Sequence, residues 1–284
     1  MALKVMAFGL TGSVALLSDA AESLVNVVAG VSVWWAVRLS ETPPDLKHPY
    51  GHQRAENVSG AFEAALILVA ALAILASAVG KIIEPEPLVR VGAGVILALV
   101  AAAINVVVSR YMFRHAKHLG SAALDANARH LRTDVITTLG VVGGVTLTAL
   151  TGFALLDPII AMVIAVHIGR EGIGVLRDSL SQLMDERLPA AEEEVIVDAM
   201  ERRDEVKGFH RLRSRSSGTA RFAEVDVFVD PDLTVSEAHD LVSDLEDEIR
   251  SELPNLITTI HVEPYEEGRR EGSVRPDEEF FKDA

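Results

Sequence analysis

The sequence predicts an all-α membrane bundle joined to a small α+β domain. Three observations predict it: a set of long uncharged runs in the first two thirds, an abrupt rise in acidity after residue 185, and a change from helical to alternating apolar spacing near residue 209. Residues 1–185 carry 14 acidic and 13 basic side chains, whereas residues 186–284 carry 27 and 13. Nearly all of the net charge of −15 therefore belongs to the second part. An acidic surface of that size excludes nucleic acid, whose binding needs Lys and Arg against phosphate, and argues against adhesion to anionic lipid.

The apolar runs come in order. Val91–Ser109 and Val135–Leu156 contain no charged side chain, and Asn57–Gly80 contains only Glu63. Each is close to the ~20 residues that cross a bilayer core as helix. With Ser13–Val37 and Pro158–Leu176 there are five complete spans. The opening MALKVMAFGL is about half a span. It lacks the basic start and cleavage site of a signal peptide, and is read as the tail of a first membrane helix, giving a six-helix plan with a partial first helix. Arg38, Lys47 and Arg54 flank the loop after the second helix, and Arg110, Arg114 and Lys117 follow the fourth. The turn between them has Lys81 and Arg90, and GFALLDP has no basic residue. The bias of basic residues places the first two loops and the C-terminal part in the cytoplasm.

Residues 189–265 read as a separate soluble domain. EEEVIVDAMERRDEV has acids at its front and a helical apolar spacing. FHRLRSRSS and RFAEVDVFVD alternate on either side of a Gly-containing turn, as paired strands do. SEAHDLVSDLEDEIRSEL is a second helix with Ser236 as its N-cap candidate, and LITTIHVEPY is a last strand. The order αββαβ predicts a two-layer, ferredoxin-like sandwich with both helices on one sheet face. The charged stretch 266–284 is expected to be disordered.

Charged groups inside the spans point to chemistry. Glu22 and Asn26 lie four apart in the second helix, and His130 and Asp134 four apart in the fifth, so each pair stacks on one helix face. Two helices presenting two ligands each can surround one ion with three oxygens and one nitrogen. Two carboxylates neutralise a divalent cation, which offsets most of the cost of holding it at membrane depth. The bland alternative is that each pair is interhelical hydrogen-bonding glue; the matched spacing favours a metal site. Asp19 is read as a vestibule residue or a helix-facing hydrogen-bonder. The chain has no cysteine, so thiolate sites and disulfides are excluded and any metal is held by imidazole and oxygen.

At these residues the chain resembles the cation diffusion facilitator family of divalent-metal/proton antiporters. TGSVALLSDA, HPYGHQRAE, His130–Asp134, LMDERLP and the αββαβ tail carry the resemblance, which covers essentially the whole sequence. It implies that Glu22, Asn26, His130 and Asp134 are the transport ligands. Zinc transporters of the family commonly have His or Asp, then Asp, in the second helix. The Glu and Asn here make an oxygen-richer set that accepts Zn²⁺ but also Cd²⁺, Mn²⁺, Fe²⁺ or Co²⁺. The resemblance further implies a loop site at Asp45, His48 and His52, and a cytoplasmic metal site at a dimer interface from His210, His239, His261 and Glu263, the last in place of the family's usual Asp. It also implies an ion-pair interlock, Arg54 with Asp185.

His115 and His118 are assigned to a basic cytoplasmic loop, and His167, with Arg170 and Glu171, to packing or ion pairing inside the bundle. The expected function is secondary transport without a prosthetic group: export of divalent cations, Zn²⁺ foremost, across the cytoplasmic membrane in exchange for protons. His130 is the natural proton carrier and Glu22 a second. Expected partners are the metal ions, protons, the bilayer and a second copy of the chain. A membrane di-iron enzyme would need adjacent histidines and an intramembrane zinc protease HExxH, and neither motif occurs. A metal sensor that binds without transporting is the remaining alternative.

Overall fold

The computed structural model describes residues 1–85, 87–119, 122–218 and 220–266. For residues 116–119, 122–127, 129 and 130 only the backbone is described. Six helices come first: α1 (Ala2–Thr11), α2 (Val14–Ser40), α3 (Ala55–Ile83), α4 (Val91–Leu119), α5 (Ala122–Thr151) and α6 (Leu156–Leu183). Five of these are long and apolar enough to cross a membrane, and α1 is a shorter apolar helix. Then follow α7 (Ala190–Glu201), β1 (Val206–Ser217), β2 (Ala220–Val229), α8 (Val235–Glu252) and β3 (Leu256–Pro264). The two parts are an all-α membrane bundle and a ferredoxin-like α+β domain, as the apolar runs and the alternating strands indicated. Residues 267–284, expected to be disordered, lie outside the described residues.

The chain divides into two compact units. One comprises Met1–Val33 and Gly60–Leu176; the other comprises Trp34–Ser59 and the described residues from Arg177 onward. In the first unit the helices meet through small residues. Gly94 of α4 lies against α1 so closely that an added Cβ would meet the side chain of Thr11 and come within 3.2 Å of the Ala7 carbonyl. At Gly172 of α6 an added Cβ would meet Ile67 of α3 at 2.7 Å. Small residues at such crossings let backbones approach where lipid supplies no hydrophobic force between helices. The start of α2 is held by Asp157 in the first turn of α6. Asp157 accepts hydrogen bonds from the Ser13 hydroxyl and from the Val14 amide at 2.8 Å. A buried carboxylate here satisfies amides that a helix start leaves without intrahelical partners.

In the second unit the sheet order is β1-β2-β3, with β1–β2 antiparallel and β2–β3 parallel. Phe209, Leu212, Val225 and Val227 point to one face, where they form a core with Ile196 and Met200 of α7 and Ile249 of α8. Both helices therefore cover one face and leave the other to His210, Asp226, His261 and Glu263, which alternate with core residues. A bulge sharpens that division. Arg211 has φ of 54° at a register shift between His210 and Arg213, so Phe209 and Leu212 both reach the core while His210 turns the other way.

Two local expectations are corrected. The N-cap of α8 is Thr234, not Ser236: its hydroxyl accepts from the Glu237 amide and the Glu237 carboxylate accepts from the Thr234 amide, at 3.3 and 2.8 Å. Only Thr234 stands three residues before a Glu, the spacing a capping box requires. The segment holding His115 and His118 is not a loop but the end of α4, which runs on to Leu119. The His115 ring lies 2.9 Å from the Tyr111 carbonyl, one turn back, and the His118 side chain lies outside the described residues.

Candidate metal sites

In the membrane bundle, Glu22 and Asn26 sit half-buried on successive turns of α2, and Asp134 is buried on α5 with 5% exposure. Glu22 stands within electrostatic reach of Asp134, Lys4, Asp19 and Glu171. The fourth expected ligand, His130, lies one turn before Asp134 on α5, and its side chain lies outside the described residues. Two carboxylates of the expected set therefore lie within electrostatic reach of one another.

A second polar layer, one turn away, was only partly visible in the sequence. Lys4 of α1 donates to Asp19 Oδ1 at 2.8 Å, and the Thr138 hydroxyl of α5 donates to the same oxygen at 2.7 Å. All three side chains are essentially inaccessible. Asp19 is therefore the helix-facing hydrogen-bonder and not a vestibule residue. Lys4 completes it, a role that a lone Lys in an otherwise apolar ten-residue segment could have signalled. An ammonium so placed neutralises Asp19, leaving Glu22 and Asp134 as the local excess of negative charge.

Beside Glu22 a groove of about 380 Å³ runs between α5 and α6, lined also by Thr133, Thr137, His167 and Glu171. His167 Nε2 and Glu171 Oε1 are 3.4 Å apart, each side chain 62% exposed. The two do pair, but along this open groove and not inside the bundle as the sequence suggested.

The loop between α2 and α3 gathers Asp45, His48 and His52, whose ligand atoms all lie within 4.8 Å of one another. Asp45 Oδ1 accepts the amides of Lys47 and His48 at 2.8 and 2.6 Å. Its Oδ2 lies 3.5 Å from His52 Nε2. The His48 amide above all, then that of Lys47 and the His48 ring, hold the Asp45 carboxyl below the ordinary carboxylate range. The turn is possible because Gly51 takes φ of 88°. Two nitrogens and one oxygen leave a tetrahedral ion one open position.

The loop belongs to the same compact unit as the α+β domain. Tyr50 meets Phe222 edge-on at 6.0 Å, with the Arg215 guanidinium over both rings. Arg54 pairs with Asp185, as the interlock expectation held, and Arg215 also reaches Asp185, at 3.3 Å.

On the uncovered sheet face, His210 Nε2 lies 3.4 Å from Glu263 Oε2 and 3.7 Å from Asp226 Oδ2. The three offer ligand atoms within 4.8 Å of one another. The His210 ring is buried and stacks on Phe228 at 4.8 Å, which fixes its orientation. Asp226 was missed in the sequence; the signal was an acid between two core valines in a strand, hence on the face opposite them. His261 pairs in register with Asp226 but is exposed. His239 is exposed on α8, the helix that covers the opposite face. Among the described residues of one chain, neither joins the His210–Asp226–Glu263 cluster.

The family model described as the cation efflux transmembrane domain matches residues 1–184, and that of the cation efflux protein cytoplasmic domain matches residues 188–265. The chain is 40% identical over 268 residues to a protein of Synechocystis named uncharacterized transporter sll1263, covering 94% of this chain and 86% of that one. It is 29% identical over 266 residues to the cation-efflux pump FieF of Pectobacterium atrosepticum, covering 92% and 87%. Among solved structures, the metal-bound C-terminal domain of the CzcD transporter from Thermotoga maritima is 33% identical, with a TM-score of 0.25, and covers 27% of this chain and 94% of that one. The chain belongs to the cation efflux family, whose members are multi-pass membrane transporters and not enzymes.

Proposed function

We propose that the chain is a secondary transporter that exports divalent metal cations, Zn²⁺ foremost and Cd²⁺, Fe²⁺, Mn²⁺ or Co²⁺ as well, from the cytoplasm in exchange for protons. The observation that carries this reading is that Glu22 of α2 lies within electrostatic reach of buried Asp134 of α5. Two carboxylates held in a membrane interior call for a cation. Asn26 supplies a third, neutral oxygen and His130 the nitrogen, so that bound metal carries its charge nearly neutralised. An oxygen-rich set with one imidazole suits borderline and harder divalent ions together.

Release follows from competition. The same ligands bind metal only when deprotonated, so protons arriving from the outer side expel it and are carried inward on the return. His130 and Glu22 are the carriers. The bundle, residues 1–185, does the transport, and residues 189–265 bind metal and bring two protomers together. His210, Asp226 and Glu263 form the part of that site which one chain completes; His239 and His261 complete it at the interface. Asp45, His48 and His52 hold a further ion on the cytoplasmic side. The membrane is the cytoplasmic one, with the C-terminal domain inside.

The test is flux. In liposomes carrying a pH-sensitive dye, Zn²⁺ should drive proton movement in the parent protein and none in Asp134→Ala. Metal binding without proton or metal movement in the parent would instead identify a sensor.

A further inference from the structure

Several polar clusters have a use in the reading above; the His167–Glu171 pair does not. It lies near the centre of α6, in an otherwise largely apolar stretch that also holds Arg170. The opposite side of α6 is committed to α3, where Gly169 approaches Ala71 and Gly172 approaches Ile67. His167 and Glu171, one turn apart on the other side, consequently face the groove of about 380 Å³. Glu22 lies on the same groove, and Glu171 is within its electrostatic reach. An imidazole and a carboxylate 3.4 Å apart, with the Glu22 carboxylate lining the same groove, place three ligand-type groups along one cavity. Ionisable groups at membrane depth tend to mark ion pathways.

We propose that His167 and Glu171, with Glu22 across the groove, form a second station for a divalent cation beside the transport site. This rests on the transport reading above and deepens it. One imidazole and two carboxylates are ligands for borderline ions such as Zn²⁺ or Co²⁺, with water filling the remaining positions in a groove large enough to hold it. Glu22 is shared: as a bridging carboxylate it serves the station with His167 and Glu171 and the transport site with Asp134, so that both can hold an ion together.

The test uses the whole 284-residue chain in lipid nanodiscs with radiolabelled Zn²⁺ as probe. The double variant His167→Gln/Glu171→Gln should bind one Zn²⁺ fewer than the parent, and its kcat/KM for Zn²⁺ in proteoliposomes should fall about tenfold, as loss of supporting ligands does. His167→Asp, which keeps a ligand at the position, should restore both. Equal Zn²⁺ stoichiometry and equal kcat/KM in a double variant that elutes as the parent does would overturn the station and leave His167 and Glu171 as a simple pair. Asp134→Ala separates the two readings. If it loses flux, the transport site stands and the station is judged by the double variant. If it transports like the parent, the transport-site reading falls, and a lost ion in the double variant still supports the station.

Discussion

The bundle and the tail domain differ in the balance of side chains they bury, with alanine prominent in the first beside Leu16, Ile74 and Val141. In the bundle the packed interior is rich in Ala7, Ala15, Ala78, Ala98, Ala161 and Ala165, while Ile96, Ile136, Leu150 and Val163 point outward. In the tail domain Phe209, Met200, Ile196 and Ile249 are fully buried. The solvent explains the difference. Lipid receives large aliphatics as readily as a protein core does, so the bundle gains from close backbone approach instead. Water expels them, so the tail domain collects them inside. Polar groups invert in turn: the bundle keeps Lys4, Asp19, Asp134, Thr138 and Asp157 buried, where each must be paired or put to use, while the tail domain carries its acids mostly on the surface.

That contrast can be broken at either end. The largest effect is expected inside the bundle at Asp134, where Ala should lower Zn²⁺ flux by about a hundredfold or more, beyond the range seen for supporting residues; stopped-flow dye fluorescence in proteoliposomes reads it. In the tail domain Phe209→Ala should cost about 3–5 kcal/mol, the range for emptying an aromatic site in a core. Unfolding of the whole chain in detergent, followed by circular dichroism, measures that loss, and a cost below about 1 kcal/mol would mean the core relaxes around the gap.

Gly94→Leu tests the opposite error, too much bulk. The new side chain must displace α1 from α4, at a cost of about 1–3 kcal/mol, and the Lys4–Asp19 pair should separate with it. A smaller loss, about 1 kcal/mol, is expected for Thr234→Ala, which removes the cap of α8. The smallest effect is electrostatic and pH-dependent. Hydrogen bonds hold the carboxyls of Asp45 and Glu237 below their ordinary values, with the His48 amide the main cause for Asp45 and the Thr234 hydroxyl for Glu237. Their contribution is thus fully present above the ordinary carboxylate pKa of about 4 and is lost only as pH falls through the lowered folded values. NMR titration of the His48 and Glu237 amides should show midpoints below about 4; midpoints above it would remove these bonds from solution.

Much of the architecture was legible from spacing alone. Five apolar runs gave five long helices, and the alternation in RFAEVDVFVD gave β2 with its valines inward. The ligand-type pairs were legible for the same reason: Glu22 with Asn26, and His130 with Asp134, repeat at the helical period, and Asp45, His48 and His52 lie close enough in sequence for one turn to gather them.

What spacing could not supply was the partner from another element. Lys4 meets Asp19 only because the fold brings a side chain of α1 to one of α2, and Thr138 joins them from α5. Asp226 reaches His210 only through the β1–β2 register and the bulge at Arg211. His167 and Glu171 face a groove because small residues commit the other side of α6 to α3. Local periodicity is written in the chain because each residue's neighbours in a helix or strand are fixed by backbone geometry. Which helices touch, and therefore which charges must share one low-dielectric space, is decided by packing between distant segments, and only the tertiary structure holds that information.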